Sequence, residues 1–97
     1  MVVGVSIFEL HVPEARSLKQ KRKVVKGLVE RIHSRFRVSV AETDYHDLHQ
    51  RAEISIAVIA QSVSEGERLM SKIRDLIDTE PAAMLTVWDP QYLEGMR

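Results

Sequence analysis

Hydrophobic and polar positions fall into six runs along the chain. Val2 to Val12, VVGVSIFELHV, is β-branched and partly alternating, which predicts a strand; Pro13 ends it because it has no N–H to give to a ladder. From Ser17 to Phe36 the period becomes helical, with Leu18, Val25, Leu28, Val29, Ile32 and Phe36 on one stripe. Ser17 suits the N-cap, and basic residues mark the far end. Gly27 falls opposite the stripe, where glycine disfavours a helix by about 1 kcal/mol, and the pattern offers no reason for it.

Two alternating segments follow, Arg37–Thr43 and Glu53–Ala60, separated by the polar stretch Asp44–Arg51 that predicts a hairpin loop. A second helix is expected from Ser64 to about Thr79, with Glu67 at capping-box spacing and Leu69, Met70, Ile73, Leu76 and Ile77 as its stripe. Pro81 precedes a last strand over Ala83–Asp89, and residues 90–97 read as a loose tail. No linker or low-complexity stretch divides residues 1–97, so one domain is expected. The order β-α-β-β-α-β, with right-handed crossovers around a central hairpin, predicts an α+β, ferredoxin-like fold: a four-stranded antiparallel sheet with two helices on one face.

Strand parity assigns the two sheet faces. Val38, Val40, Ile54, Ile56, Val58, Leu85 and Val87 are expected toward the helices. Ser39, Ala41, Glu53, Ser55, Ala57, Met84, Thr86 and Trp88 would line the open face, joined by Gly4, Ser6 and Phe8. RNA-recognition motifs stack bases on aromatic rings of such a face, but the third strand offers only Ser55 and Ala57 where rings would be needed. A flat face of small residues suits a protein surface, including a second copy of the chain, with Ser6, Phe8, Ser55, Ala57 and Trp88 as the expected interface; a solvated sheet face fits the same pattern.

Composition changes this picture mainly through charge. The 97 residues hold 14 Lys+Arg and 14 Asp+Glu, a formal net charge of zero. Residues 14–37, however, carry nine basic and two acidic side chains, a surplus of seven positive charges, and the rest of the chain is acidic. On a helical wheel Lys19, Arg22, Lys23 and Lys26 fall within an arc of about 100° that also takes in His33, and Arg16 can join from just before the helix. Such a patch can grip phosphates irrespective of sequence, although a solvated helix face or docking to an acidic protein would use the same residues.

Other chemistry finds little support. With no cysteine there are no disulfides, thiolate nucleophiles or Cys-ligated metals. The absence of both Cys and Asn suits a thermophile. The N-terminus has neither a basic leader nor an apolar span, so the cytoplasm is the expected address and no membrane is involved. Asp44, His46 and His49 share a loop with Glu42 but match no established metal-site spacing, and the four glycines are isolated, so no phosphate cradle is present. Acylphosphatases share the size and fold. Arg16 could imitate their phosphate-binding arginine, but the loop HVPEARS lacks their glycines and the chain has no asparagine. Neither a cofactor nor an enzymatic activity is expected.

Ser17-Leu18-Lys19-x-Lys21-Arg22, Val38-Ser39-Val40-Ala41-Glu42 leading to Asp44, and Gln50-Arg51-Ala52 together make the chain resemble the YlxP-like family, a bacterial group of unknown function. The resemblance spans nearly the whole chain and departs from the family pattern at His49, where a tryptophan is expected before Gln-Arg. It implies a ferredoxin-like fold and a genetic setting among translation and ribosome-maturation genes, with no established activity. The resulting expectation is a non-enzymatic factor that contacts structured RNA or the ribosome through Arg16, Lys19, Lys21, Arg22, Lys23 and Lys26, with Arg51 added near the hairpin. The alternative is an interaction module that forms a homodimer through the open sheet face.

Overall fold

Strand β1 (Val2–His11) lies inside the sheet and pairs on both sides. The structure, a computed structural model, describes residues 1–95. After β1 come α1 (Leu18–Phe36), β2 (Ser39–Asp44), β3 (Arg51–Ala60), α2 (Val63–Asp78), β4 (Met84–Val87) and β5 (Gln91–Glu94). The sheet order is β2-β3-β1-β4, all antiparallel, with β5 also on β1. This is the ferredoxin-like order expected, with a fifth short strand.

That strand arises because one edge strand is split in two. Val87 pairs with Glu9 and Gln91 with Val5, so β5 continues along β1 the register in which β4 ends. Between them stands Pro90, whose ring nitrogen cannot donate to the ladder. Residues 91–94, expected in the loose tail, are therefore strand, while Met96 and Arg97 lie outside the described residues.

Both helix starts are set by serine hydroxyls. Ser17 Oγ accepts the Gln20 N–H at 3.2 Å, as expected. In α2 the cap is Ser62, which accepts from Glu65 N, rather than the expected Ser64; the Ser-x-x-Glu spacing is met by Ser62 and Glu65, two residues before Ser64 and Glu67. At the C-terminus of α1 the chain turns through Arg37, in left-handed conformation at φ 52°, whose N–H returns to His33 O at 3.3 Å.

The core lies between helices and sheet. Phe8, Leu10, Ile54 and Ile56 from the central strands meet Val25, Leu28 and Ile32 of α1 and Met70, Ile73 and Ile77 of α2. This reverses the expected parity of β1. Phe8 pairs with Ile54 and Ser6 with Ile56, and cross-strand partners share a face, so Gly4, Ser6, Phe8 and Leu10 point toward the helices. Phe8 and Ser6 are wholly buried, and neither is available as an interface residue. Trp88 is likewise corrected. A register shift around Thr86 places Val87 on the open face, 44% exposed, and turns Trp88 inward, its ring centroid 5.5 Å from that of Phe8. Ser55 and Ala57 do lie on the open face, opposite Ile7 and Val5.

Candidate nucleic-acid interface

The stripe that seats α1 on the sheet decides which of its cations meet water. Lys21, Val25, Leu28 and Ile32 recur at helical spacing, and all four are buried. Lys21 therefore points into the protein although its neighbours in sequence do not. Its ammonium donates to Tyr45 O at 2.8 Å and Arg51 O at 3.3 Å, and lies 3.0 Å from Glu42 Oε2, a contact made by charge rather than by an aligned hydrogen bond. These partners lie on β2, at the β2–β3 turn and at the start of β3, so one cation ties the hairpin to the helix. Lys21 cannot contact a phosphate and leaves the expected set for that reason.

Arg16, Lys19, Arg22, Lys23 and Lys26 remain, and all are exposed. Among the described residues none of them has a carboxylate within ion-pair distance; the pairs formed are Lys21–Glu42, Arg31–Glu80, Arg51–Glu9 and Arg74–Asp78. Lys19, Arg22, Lys23 and Lys26 line one shallow groove together with Ser17 and Gln20. The first turn of α1 holds no acidic residue, whereas α2 has Glu65 in its own. Cations at the N-terminus of α1 stand against the positive end of the helix dipole, an arrangement that disfavours the helix and favours an anion beside it.

Arg51 belongs elsewhere. It pairs with His11 on the open face, its guanidinium lies 4.0 Å over the Tyr45 ring and its Nη2 is 2.9 Å from Glu9 Oε1. The Tyr45 phenol is raised above its usual value, first by a hydrogen bond to Glu9 and then by burial, against the opposing pull of Arg51. Arg51 thus closes a local cluster on the layer opposite the exposed face of α1 and adds nothing to the basic groove.

Sequence reasoning missed the residue that braces the approach to α1. Gln50 Nε2 donates to Pro13 O and Ala15 O, at 3.2 and 3.3 Å, and Gln50 O accepts from Val12 N at 2.9 Å. Gln20 Oε1 then takes the Arg16 N–H at 2.6 Å. These bonds hold the segment that carries Arg16 against the first turn. Its sequence signal is its place in the Gln50-Arg51-Ala52 motif at the start of β3, which marks the residue without showing what it bonds.

The remaining candidates do not converge. His46 Nε2 lies 3.3 Å from Glu42 O and Asp44 Oδ1 accepts the Tyr45 N–H, while no three His, Asp or Glu side chains among the described residues come together as a metal site. Among the same residues no helix is long and apolar enough to cross a membrane.

Comparison with known proteins places this geometry in a family. The family model described as "Protein of unknown function (DUF503)" matches residues 3–89. The chain belongs to this family. A relative in Bacillus subtilis (strain 168), "Uncharacterized protein YlxP", is 31% identical over 86 residues, which cover 89% of this chain and 94% of that protein. The family includes in its matched span all five exposed cations and the residues that hold Lys21. Among solved structures, a de novo designed protein with ferredoxin fold superposes with a TM-score of 0.53 at 15% identity, covering 99% of this chain and 88% of the design. At that identity the likeness concerns the fold alone.

Proposed function

We propose that this chain is a small non-enzymatic factor that grips structured RNA, ribosomal RNA being the expected kind, through the first turns of α1. The observation that carries the reading is the shared groove of Lys19, Arg22, Lys23 and Lys26, with Arg16 on the segment just before it: among the described residues none of the five is paired with a carboxylate, and Lys19 stands in the first turn of α1, where positive charge is least favourable. Cations placed for stability alone belong at the other end of a helix or beside acids. Placed here they suit phosphates, which would meet both the side chains and the dipole. Contacts of this kind set position and orientation and read little base sequence.

The reading is tested by changing Lys19, Arg22, Lys23 and Lys26 together to Glu and measuring binding to a structured RNA at low salt. Affinity is expected to fall at least about a hundredfold, since several phosphate contacts become repulsions. Glutamate is a good helix former and suits a helix N-terminus, so the variant is expected to melt no lower than the parent chain. Unchanged RNA affinity in a folded variant overturns the reading.

A further inference from the structure

We propose that two copies of this chain associate face to face through the open side of the sheet. That face grades from apolar to charged along the strands. At one end Ile59, Val3 and Leu93 stand side by side on β3, β1 and β5, with Ile59 72% and Leu93 49% exposed. Next come Ala57 and Val5, then Ile7, 55% exposed on the central strand. At the other end Glu9, Glu53 and Arg51 supply a polar border. Single exposed aliphatic side chains are ordinary, but a contiguous run across three strands marks an interaction site, and an apolar centre with a polar rim is the anatomy of an interface.

Size and charge both favour a second copy as the occupant. Strands β1 and β3 are ten residues each, so the face measures about 33 by 19 Å, roughly 600 Å² per copy and about 1,200 Å² for the pair, above the ~1,000 Å² that a specific interface needs. A two-fold axis lets the flat apolar rows of one sheet lie on those of the other, with the sheets about 10 Å apart. The positive surplus sits on α1, in the other layer. Face-to-face pairing puts the two basic helices on opposite outer sides, where they repel least; pairing through the helices would press Arg22, Lys23 and Lys26 against their own copies. Edge pairing beyond β4 and β5 is discouraged by the register shift at Thr86 and by Pro90.

Light scattering on the purified chain tests the proposal independently of RNA binding. The wild type is expected at twice the 11.1 kDa chain mass. Ile59→Glu, and separately Leu93→Glu, should each return the mass to that of one chain with an unchanged far-UV spectrum, because both side chains already stand in water. Lys23→Glu, on the other layer, should leave the mass doubled. A wild type that stays at one chain mass up to millimolar concentration overturns the proposal, as does a dimer that survives both substitutions.

Discussion

Lys21 and Lys23 are two positions apart and point to opposite sides of α1. The first is wholly buried beneath the β2–β3 hairpin and satisfied by two carbonyls and Glu42; the second is exposed in the basic groove. Composition cannot separate them, but helical period does: 21, 25, 28 and 32 form one line, so the burial of Lys21 was legible in the sequence and was masked by the run of cations around it. Their substitutions should behave in opposite ways. Lys21→Met leaves Glu42 and the carbonyls of Tyr45 and Arg51 without their partner and is expected to destabilise the fold by about 3 kcal/mol, seen as a lower urea midpoint. The folded fraction should still bind RNA almost as the parent does. Lys23→Met should leave the midpoint near the parental value and weaken RNA binding. An equal loss of RNA affinity in both, at equal stability, would contradict the division.

Two glycines mark what each helix does. In α2, a methyl group at Gly66 would come within 3.0 Å of Tyr92 Cε1 and 3.1 Å of its Cδ1, so the helix approaches β5 closely there because that side chain is absent. In α1, a methyl group at Gly27 would meet nothing within 4 Å. Gly27→Ala is therefore expected to raise stability by about 1 kcal/mol, and Gly66→Ala to lower it, with Tyr92 displaced from its seat. Thermal melts of the two variants check both signs; a lower melting temperature for Gly27→Ala would contradict the open environment. The same region shows why part of the sheet was hidden from sequence reading. In β1, Val3, Val5 and Ile7 make the odd positions look like the core side, while the even positions Gly4 and Ser6 look like surface. Gly4 is small because Tyr92, Met70 and Val58 close over it, and that fact depends on a strand almost ninety residues away. Along the same edge, one residue of register shift near Thr86 moved Val87 out and Trp88 in. The helices, the β-α-β-β-α-β order and the faces of β2 and β3, set by local period, were readable; the faces of β1 and of Val87 and Trp88, set by long-range packing and register, were not.

At the scale of the whole molecule, zero net charge divides by layer. Arg31 is neutralised by Glu80, Arg51 by Glu9, Lys21 by Glu42 and Arg74 by Asp78, and of the cations left without such a pair among the described residues, Arg16, Lys19, Arg22, Lys23 and Lys26 fall on or just before the N-terminal half of α1. The sequence already placed the surplus in residues 14–37; folding removes Lys21 and Arg51 from the expected contact set and keeps the other five. If these five meet phosphates, binding must release counterions, and the number of contacts can be counted from salt dependence. The most direct measurement is the slope of log affinity for a structured RNA against log salt concentration, for the parent chain and for a variant with Lys19, Arg22, Lys23 and Lys26 changed to Gln. A slope of about −4 for the parent, reduced to near −1 in the variant, is the expected result. A slope near zero for the parent, or one that the four substitutions leave unchanged, would contradict an RNA-binding α1.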